Sequence, residues 1–417
     1  MRATVLLALL AAASIPALAA EEDAGALKLA DETATTTEKA GDWRDFMEGA
    51  RRDSVQRATA ARQSAGRLSL DVRFDKAIAP EWRAVFADRI DLQWQSGAAA
   101  QNSINTLKEA YVSWQPAADR IADMGRINAR YGVALGYNPT DYFRAGAVRS
   151  VVSIDPASLR ENRMGSAMLR GQALWESGSV TGLYSPKLSD QPTTSSFSPD
   201  FGATNSRNRW LVSLSHKVTE SLSPQWLVYG GEGQSPQFGL NLSALPNDAT
   251  VVNFEASVGR SPSLLTQALA RPDDTAFRSR LATSITYTTA NKLSLTAEYE
   301  YNGAGLDTDG WDALRRGSPL AYARYRGFVA NLLDLPTRRN VFLYATWTDA
   351  GINHLDLTGM LRHDIVDSSR LFWMEARYHW TDVDVALQWQ VNRGQPFSNF
   401  GTLTDRHVLQ ALVRKYF

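Results

Sequence analysis

The feature that most constrains this chain is a two-residue period that holds from Gly66 to its last residue. Leu68, Leu70, Val72 and Phe74 alternate with Ser69, Asp71, Arg73 and Asp75, and Phe86, Ile90, Leu92 and Trp94 with Ala87, Arg89, Asp91 and Gln93. Phe277, Leu281, Ile285 and Tyr287 oppose Arg278, Arg280 and Ser284; Leu293, Leu295, Ala297, Tyr299 and Tyr301 oppose Ser294, Thr296, Glu298 and Glu300. Val383, Val385, Leu387, Trp389 and Val391 oppose Asp384, Gln388 and Gln390. Such a period places successive side chains on opposite faces of a strand. Here one face is apolar and the other is ionised in strand after strand. A soluble sandwich also alternates, but its apolar face needs a second sheet and Greek-key connections. A barrel in a bilayer uses the same pattern, with one face on lipid and the other on a polar lumen.

Connection lengths support the barrel. Tight turns are expected near Asp382, Ala350-Gly351, Ala290-Asn291, Pro246-Asn247, Ser177-Gly178 and Pro116-Ala117. Long loops at 394–403, 303–339, 260–275, 187–206 and 133–163 take turns with them. Short connections on one side and long ones on the other are the signature of an outer-membrane barrel. The period ends in the segment from Thr404 to Phe417, where Leu409, Ala411, Val413 and Phe417 make an apolar face that fits a barrel-assembly signal. Lys415 departs from that signal, which usually prefers an aromatic or apolar residue there.

Composition narrows the setting. Arg2, the apolar run Val5 to Ile15 and Ala17-Leu18-Ala19 read as a signal peptide over residues 1–20. That run is short of the ~20 residues a membrane helix needs. The chain has no cysteine, which excludes disulfides and thiolate chemistry. Lys and Arg total 44 against 44 acids, and removing Arg2 leaves 43 basic side chains, so nothing points to nucleic acid. Trp94, Trp114, Trp175, Trp210, Trp226, Trp347, Trp373, Trp380 and Trp389 fall within or at the ends of alternating segments, as girdle residues do.

Residues 21–65 read differently. They are polar, and the stretch from Asp42 to Arg62 reads as a weakly amphipathic helix with Trp43, Phe46 and Met47 on its short apolar face. The organisation expected is therefore a leader at 1–20, a partly helical or disordered periplasmic segment at 21–65 and a barrel at 66–417. Candidate strands sum to seventeen, whereas a single-chain bacterial barrel has an even number. Either one assignment is false, 236–243 with its flanking prolines being the weakest, or a first strand lies before Leu68. The fold class is all-β: an antiparallel transmembrane β-barrel of 16–18 strands.

The stretch LKEAYVSWQPAADRIADMGRINARYG, from Leu107 to Gly132, reads as a hairpin followed by a long loop. Glu109-Ala110-Tyr111 and Gly125-Arg126 in it resemble a hairpin of Gram-negative porins, with Ile127 where those porins often carry Gln. Together with Phe417, the chain is similar to the broad porin-like superfamily near its poorly characterised and alginate-export-like branches. The resemblance implies that the loop from Val133 to Arg163 narrows the pore. That loop holds Asp141, Arg144, Arg149, Asp155, Arg160, Glu161 and Arg163. It further implies wall partners at Glu109, Arg126, Arg130, Arg170, Arg278, Arg280, Glu298 and Glu300. Opposed carboxylates and guanidinium groups across a narrow lumen select by charge.

Other chemistry finds less support. Among His216, His354, His363, His379 and His407, only His354 with Asp356 and His379 with Asp382 are close pairs, and neither has a nucleophile at a matching offset. Neither G-x-S-x-G nor H-E-x-x-H occurs. Asp307-Thr308-Asp309-Gly310 hints at a calcium loop, but position 318, where such a loop needs Glu, is Ser318. The expectation is a cell-outer-membrane channel for a small polar or charged solute, with no catalytic residue, metal or cofactor. An export conduit for a polysaccharide or other polymer is the alternative, and an outer-membrane enzyme a third. Expected partners are outer-membrane lipid and lipopolysaccharide, whose phosphates the loop arginines Arg315-Arg316 and Arg338-Arg339 could hold. The barrel-assembly machinery and the solute or polymer cargo complete the set, and a homotrimer stays open.

Overall fold

A computed structural model describes residues 43–95 and 102–417; the leader at 1–20 and the residues up to 42 lie outside the described residues. The strands, in order, are β1 (Trp43–Gln56), β2 (Arg62–Ala79), β3 (Trp82–Gln95), β4 (Ser103–Ala117), β5 (Arg120–Ile127) and β6 (Ser166–Trp175). There follow β7 (Gly178–Ser185), β8 (Arg209–His216), β9 (Leu222–Gly231), β10 (Gln234–Asn247), β11 (Thr250–Ser261) and β12 (Ala276–Thr288). The last six are β13 (Leu293–Asn302), β14 (Arg339–Trp347), β15 (Leu355–Asp364), β16 (Arg370–His379), β17 (Val383–Arg393) and β18 (Asp405–Tyr416). Each strand is antiparallel to the next, and β1 pairs with both β2 and β18, so the eighteen strands close into one barrel. Closure gives every strand a neighbour on both sides, which a bilayer requires.

Closure corrects the expected boundary. The stretch read as a helix is strand β1, so the barrel begins at Trp43 and not at Gly66. Its six charged residues hide the alternation, because no regular apolar face survives at Arg51, Arg52 and Asp53. The compensating charges lie on other strands. Glu48 is neutralised by Arg67 of β2, Arg89 of β3 and Arg414 of β18. The doubtful segment at 236–243 belongs to a real strand. The β10 ladder shifts register between Gln234 and Gln237 and again between Ala244 and Asn247, which accommodates Pro236 and Pro246.

The outer wall is apolar with aromatic ends. Trp43, Trp82, Trp114, Trp175, Tyr287, Trp380 and Phe417 are exposed toward the tight-turn end, and Trp94, Tyr184, Trp210, Phe238 and Phe277 toward the other. Leu409 and Val413 are exposed between those levels. Amphipathic rings at two levels around an apolar band are what two membrane interfaces select.

The long connections carry short helices: α1 (Pro156–Glu161), α2 (Phe201–Thr204), α3 (Leu264–Leu269), α4 (Thr308–Arg316) and α5 (Pro319–Leu332). Helices α3 to α5 share one apolar cluster of Leu264, Leu306, Trp311, Leu314, Tyr322, Tyr325 and Val329. Asp307, the candidate calcium ligand, is the N-cap of α4 and accepts from the Gly310 N–H at 3.0 Å. Capping explains that motif.

Candidate permeation site

Residues 128–165, between β5 and β6, are bonded to the inner face of the barrel. Alternation turns Glu255 of β11 and Glu298 of β13 inward, where both are buried. Glu255 accepts from the backbone N–H groups of Val133, Ala134 and Thr140 at 2.8–3.1 Å and from the Thr140 hydroxyl at 2.9 Å. Glu298 accepts from the N–H groups of Leu135, Gly136 and Tyr137 at 2.9–3.3 Å. Consecutive N–H groups converging on one anion form a nest. The backbone comes so close that a Cβ on Gly132, whose φ is +100°, would lie 2.7 Å from Glu255. One on Gly136 would lie 2.5 Å from Glu300. Only glycine allows that approach.

Two ion-pair hubs fix the same limb. Asp141 and Arg163, both buried, pair at 2.6 and 3.2 Å and join the start of the segment to its end. Asp334, in the connection between β13 and β14, accepts from the Tyr137 hydroxyl at 2.8 Å and from Asn302 at 3.0 Å. Arg144 and Arg280 approach it at 3.4 and 3.6 Å. Glu300 faces Arg362 of β15 at 3.7 Å.

The returning limb is held by donors from the wall. Arg67 donates to the Val152 carbonyl at 3.2 Å, Gln93 to the Ser150 hydroxyl at 3.1 Å, and Tyr344 to Asp155 at 2.8 Å. Asp155 in turn caps α1.

Arg126 and Arg149 do not face open space, which corrects the expected row of pore charges. β5 is only eight residues long and pairs with β4 only up to Ala110, so the upper part of β4 lacks a strand partner on that side. Loop backbone fills the gap: the Gly165 N–H donates to the Lys108 carbonyl and the Asn105 N–H to the Ser196 carbonyl. Arg149 binds the carbonyls of Asn105, Ser195 and Ser198, at 2.8–3.0 Å. Arg126, buried, donates to the carbonyl of Gly165 at 2.9 Å and lies over the Phe201 ring at 4.8 Å. Both side chains tie loops to an incomplete wall.

Of the other expected wall charges, Glu109 pairs with Arg73 at 3.1 Å, Arg170 with Asp123 at 2.7 Å and Arg278 with Asp274 at 3.1 Å. A bulge in β4 leaves Lys108 outside the ladder, so that Lys108 and Glu109 both turn toward β2, Lys108 to Asp71 at 2.8 Å. Arg89 completes this lattice with Asp91 at 3.0 Å and Asp71 at 3.5 Å. Among the described residues, Arg130 alone of the eleven expected pore charges is exposed and without an ion pair. Glu161, at the end of α1, is also exposed. Desolvation by the surrounding barrel opposes its charge, but Lys108, Arg414, Arg130 and Arg89 outweigh that and hold its carboxyl below the usual range. A loop carboxylate thus stands in the field of a cationic wall.

Sequence reasoning missed Glu255 and Asp334. Glu255 carries the same signal as Glu298, an acid at an inward position between Asn253 and Ser257. Asp334 lies in a connection and offers no periodic signal. His379 is held by Asp384 at 2.8 Å and Asp356 at 3.3 Å, and not by Asp382, which pairs with Lys415.

Neither a family profile nor a curated protein matches the sequence. Solved structures do resemble the fold. Acinetobacter baumannii OccAB1 superposes with a TM-score of 0.59 at 11% identity, covering 91% of this chain and 98% of its own. Pseudomonas aeruginosa OccK2 (OpdF) gives 0.57 at 12%, covering 90% and 98%. The outer membrane protein OpdK of Pseudomonas aeruginosa gives 0.54 at 8%, covering 90% and 99%. At these identities the likeness is one of fold, a closed antiparallel barrel that in this chain has eighteen strands.

Proposed function

We propose that this protein is an outer-membrane channel through which a small polar or charged solute diffuses, narrowed by residues 128–165. The observation that carries the reading is the attachment of one segment to opposite parts of the inner wall, β11 and β13 on one side and β2 and β3 on the other. Such a segment crosses the lumen. Selectivity then comes from the charges left unspent, Glu161 and Arg130. No bond is made or broken in this mechanism; transport follows the gradient. The fold likeness to porins supports a channel more than the alginate-export-like placement. An export conduit would favour a continuous arginine lining, whereas Arg67, Arg73, Arg89, Arg170 and Arg377 are each matched to a carboxylate.

Conductance of the refolded protein in planar bilayers tests the proposal. A stable open channel is expected, with Arg130→Gln shifting ion selectivity toward cations and Glu161→Gln toward anions. Absence of any conductance sinks the channel. A conducting barrel whose selectivity ignores both substitutions refutes the assignment of the selecting charges.

A further inference from the structure

Two arginines stand side by side on the outside of the barrel. Arg370 opens β16 and Arg393 closes β17, and they are direct cross-strand partners; His363 of β15 lies next to Arg370 in the same row. The row faces outward, because the same-face positions two and four residues along β16 hold Phe372 and Met374, and β17 presents Trp389 opposite Met374. Phe372, Met374 and Trp389 are all exposed. It also lies at the long-loop end, beside the connections at 365–369 and 394–404. Neighbouring strands are ~4.8 Å apart, and like charges directly opposite destabilise a sheet. Both arginines are exposed, and neither makes an ion pair among the described residues.

Nearby carboxylates are engaged elsewhere. Asp364 accepts from Thr337 and Asn399, and Asp367 from the N–H groups of Ser369 and Asn399. Three exposed cations at the tight-turn end have acids beside them: Lys292 with Asp349, Arg120 with Asp119, Lys415 with Asp382.

We propose that Arg370 and Arg393 form a seat for the phosphorylated sugar head group of an outer-leaflet lipopolysaccharide, whose acyl chains lie over Phe372, Met374 and Trp389. Paired guanidinium groups suit phosphate oxygens, and the apolar rings directly below suit the chains of the same molecule. The inference rests on the outer-membrane placement proposed above but not on conductance.

The test titrates refolded full-length protein in detergent with bisphosphorylated lipid A, read by native mass spectrometry. Each of Arg370→Gln and Arg393→Gln is expected to weaken retention about fivefold, and the double variant about 25-fold, on the basis of about 1 kcal/mol per cation near a lipid surface. Lys292→Gln is expected to bind as the wild type does. Lipid A stripped of both phosphates should bind as weakly as the double variant, and inorganic phosphate should not compete at matching concentration. Equal retention by wild type and double variant overturns the proposal, as does indifference to the phosphates. Competition by inorganic phosphate overturns the lipid assignment in favour of a free anion. Unchanged far-ultraviolet circular dichroism and thermal midpoint in the variants show that the barrel has formed. A barrel that retains lipid A and never conducts refutes the channel and leaves this site standing.

Discussion

The outgoing limb of the segment, residues 131–141, gives its backbone N–H groups to carboxylates of the wall, whereas the returning limb receives donors from the wall at residues 150–155. The chemistry is reversed along one connection. Irregular backbone inside a barrel must satisfy its polar groups, and a carboxylate can take three or four at once. Glu255 and Glu298 each collect at least three backbone N–H groups. Gln93 and Tyr344 each supply one contact. The difference implies a rigid outgoing limb and a more adjustable return, with the exposed Glu161 on the adjustable side.

The junction of the two limbs should show the largest effect. Asp141→Ala leaves the buried Arg163 guanidinium without its carboxylate. Breaking such a pair costs about 3–5 kcal/mol, readable as a lowered urea midpoint for the refolded barrel. A loss below about 1 kcal/mol would mean the limbs are not stapled there. Next comes the outgoing limb itself. Glu298→Gln keeps the shape but replaces one of the two oxygens that the three N–H groups share with a donor, and should cost about 1–3 kcal/mol. It should also make the single-channel current noisy, because residues 135–137 lose their anchor. A quiet channel of unchanged stability would erase the contrast between the limbs.

Much of this architecture is legible in the sequence, and the failures have physical causes. Strands such as β13 and β17 show a clean period because their outward faces meet only apolar surroundings over most of their length. β1 does not, since Glu48 and Arg52 are neutralised by strands far away in sequence. Inward acids could be identified by parity, but their partners could not. Nothing local says that Glu298 will bind the backbone of residues 135–137, a separation of more than 160 residues. Arg126 and Arg149 were misread for a related reason. A guanidinium in a barrel suggests a pore charge, whereas here a short β5 leaves carbonyls that need donors, and only the ladder reveals the shortage.

A smaller effect is expected on the returning limb. Gln93→Ala removes one neutral hydrogen bond to Ser150 and should cost about 0.5–1.5 kcal/mol. Current noise should stay at the wild-type level, since Arg67 still holds the Val152 carbonyl. Noise equal to that of Glu298→Gln would show that the limbs are held alike.

The smallest effect on stability, and the most direct on function, belongs to Glu161. It is exposed on the last turn of α1, so Glu161→Gln should leave the urea midpoint almost unchanged while moving the reversal potential toward anion preference. Its pH dependence follows from the cationic wall. Lys108, Arg414, Arg130 and Arg89 hold the Glu161 carboxyl below its ordinary value despite desolvation by the surrounding barrel. A carboxylate with a lowered folded-state value contributes stability that is present above the ordinary value, about 4.3, and is lost as pH falls through the lowered one. The selectivity that depends on Glu161 should follow the same course. Reversal potentials in a salt gradient should stay level as pH drops from 7 through about 4.3 and change only in more acid solution. Arg130→Gln should move that change upward in pH, because one of the supporting cations is gone. A wild-type transition at or above the ordinary glutamate value would mean that the wall's field does not reach α1, and the returning limb would then carry no selecting charge.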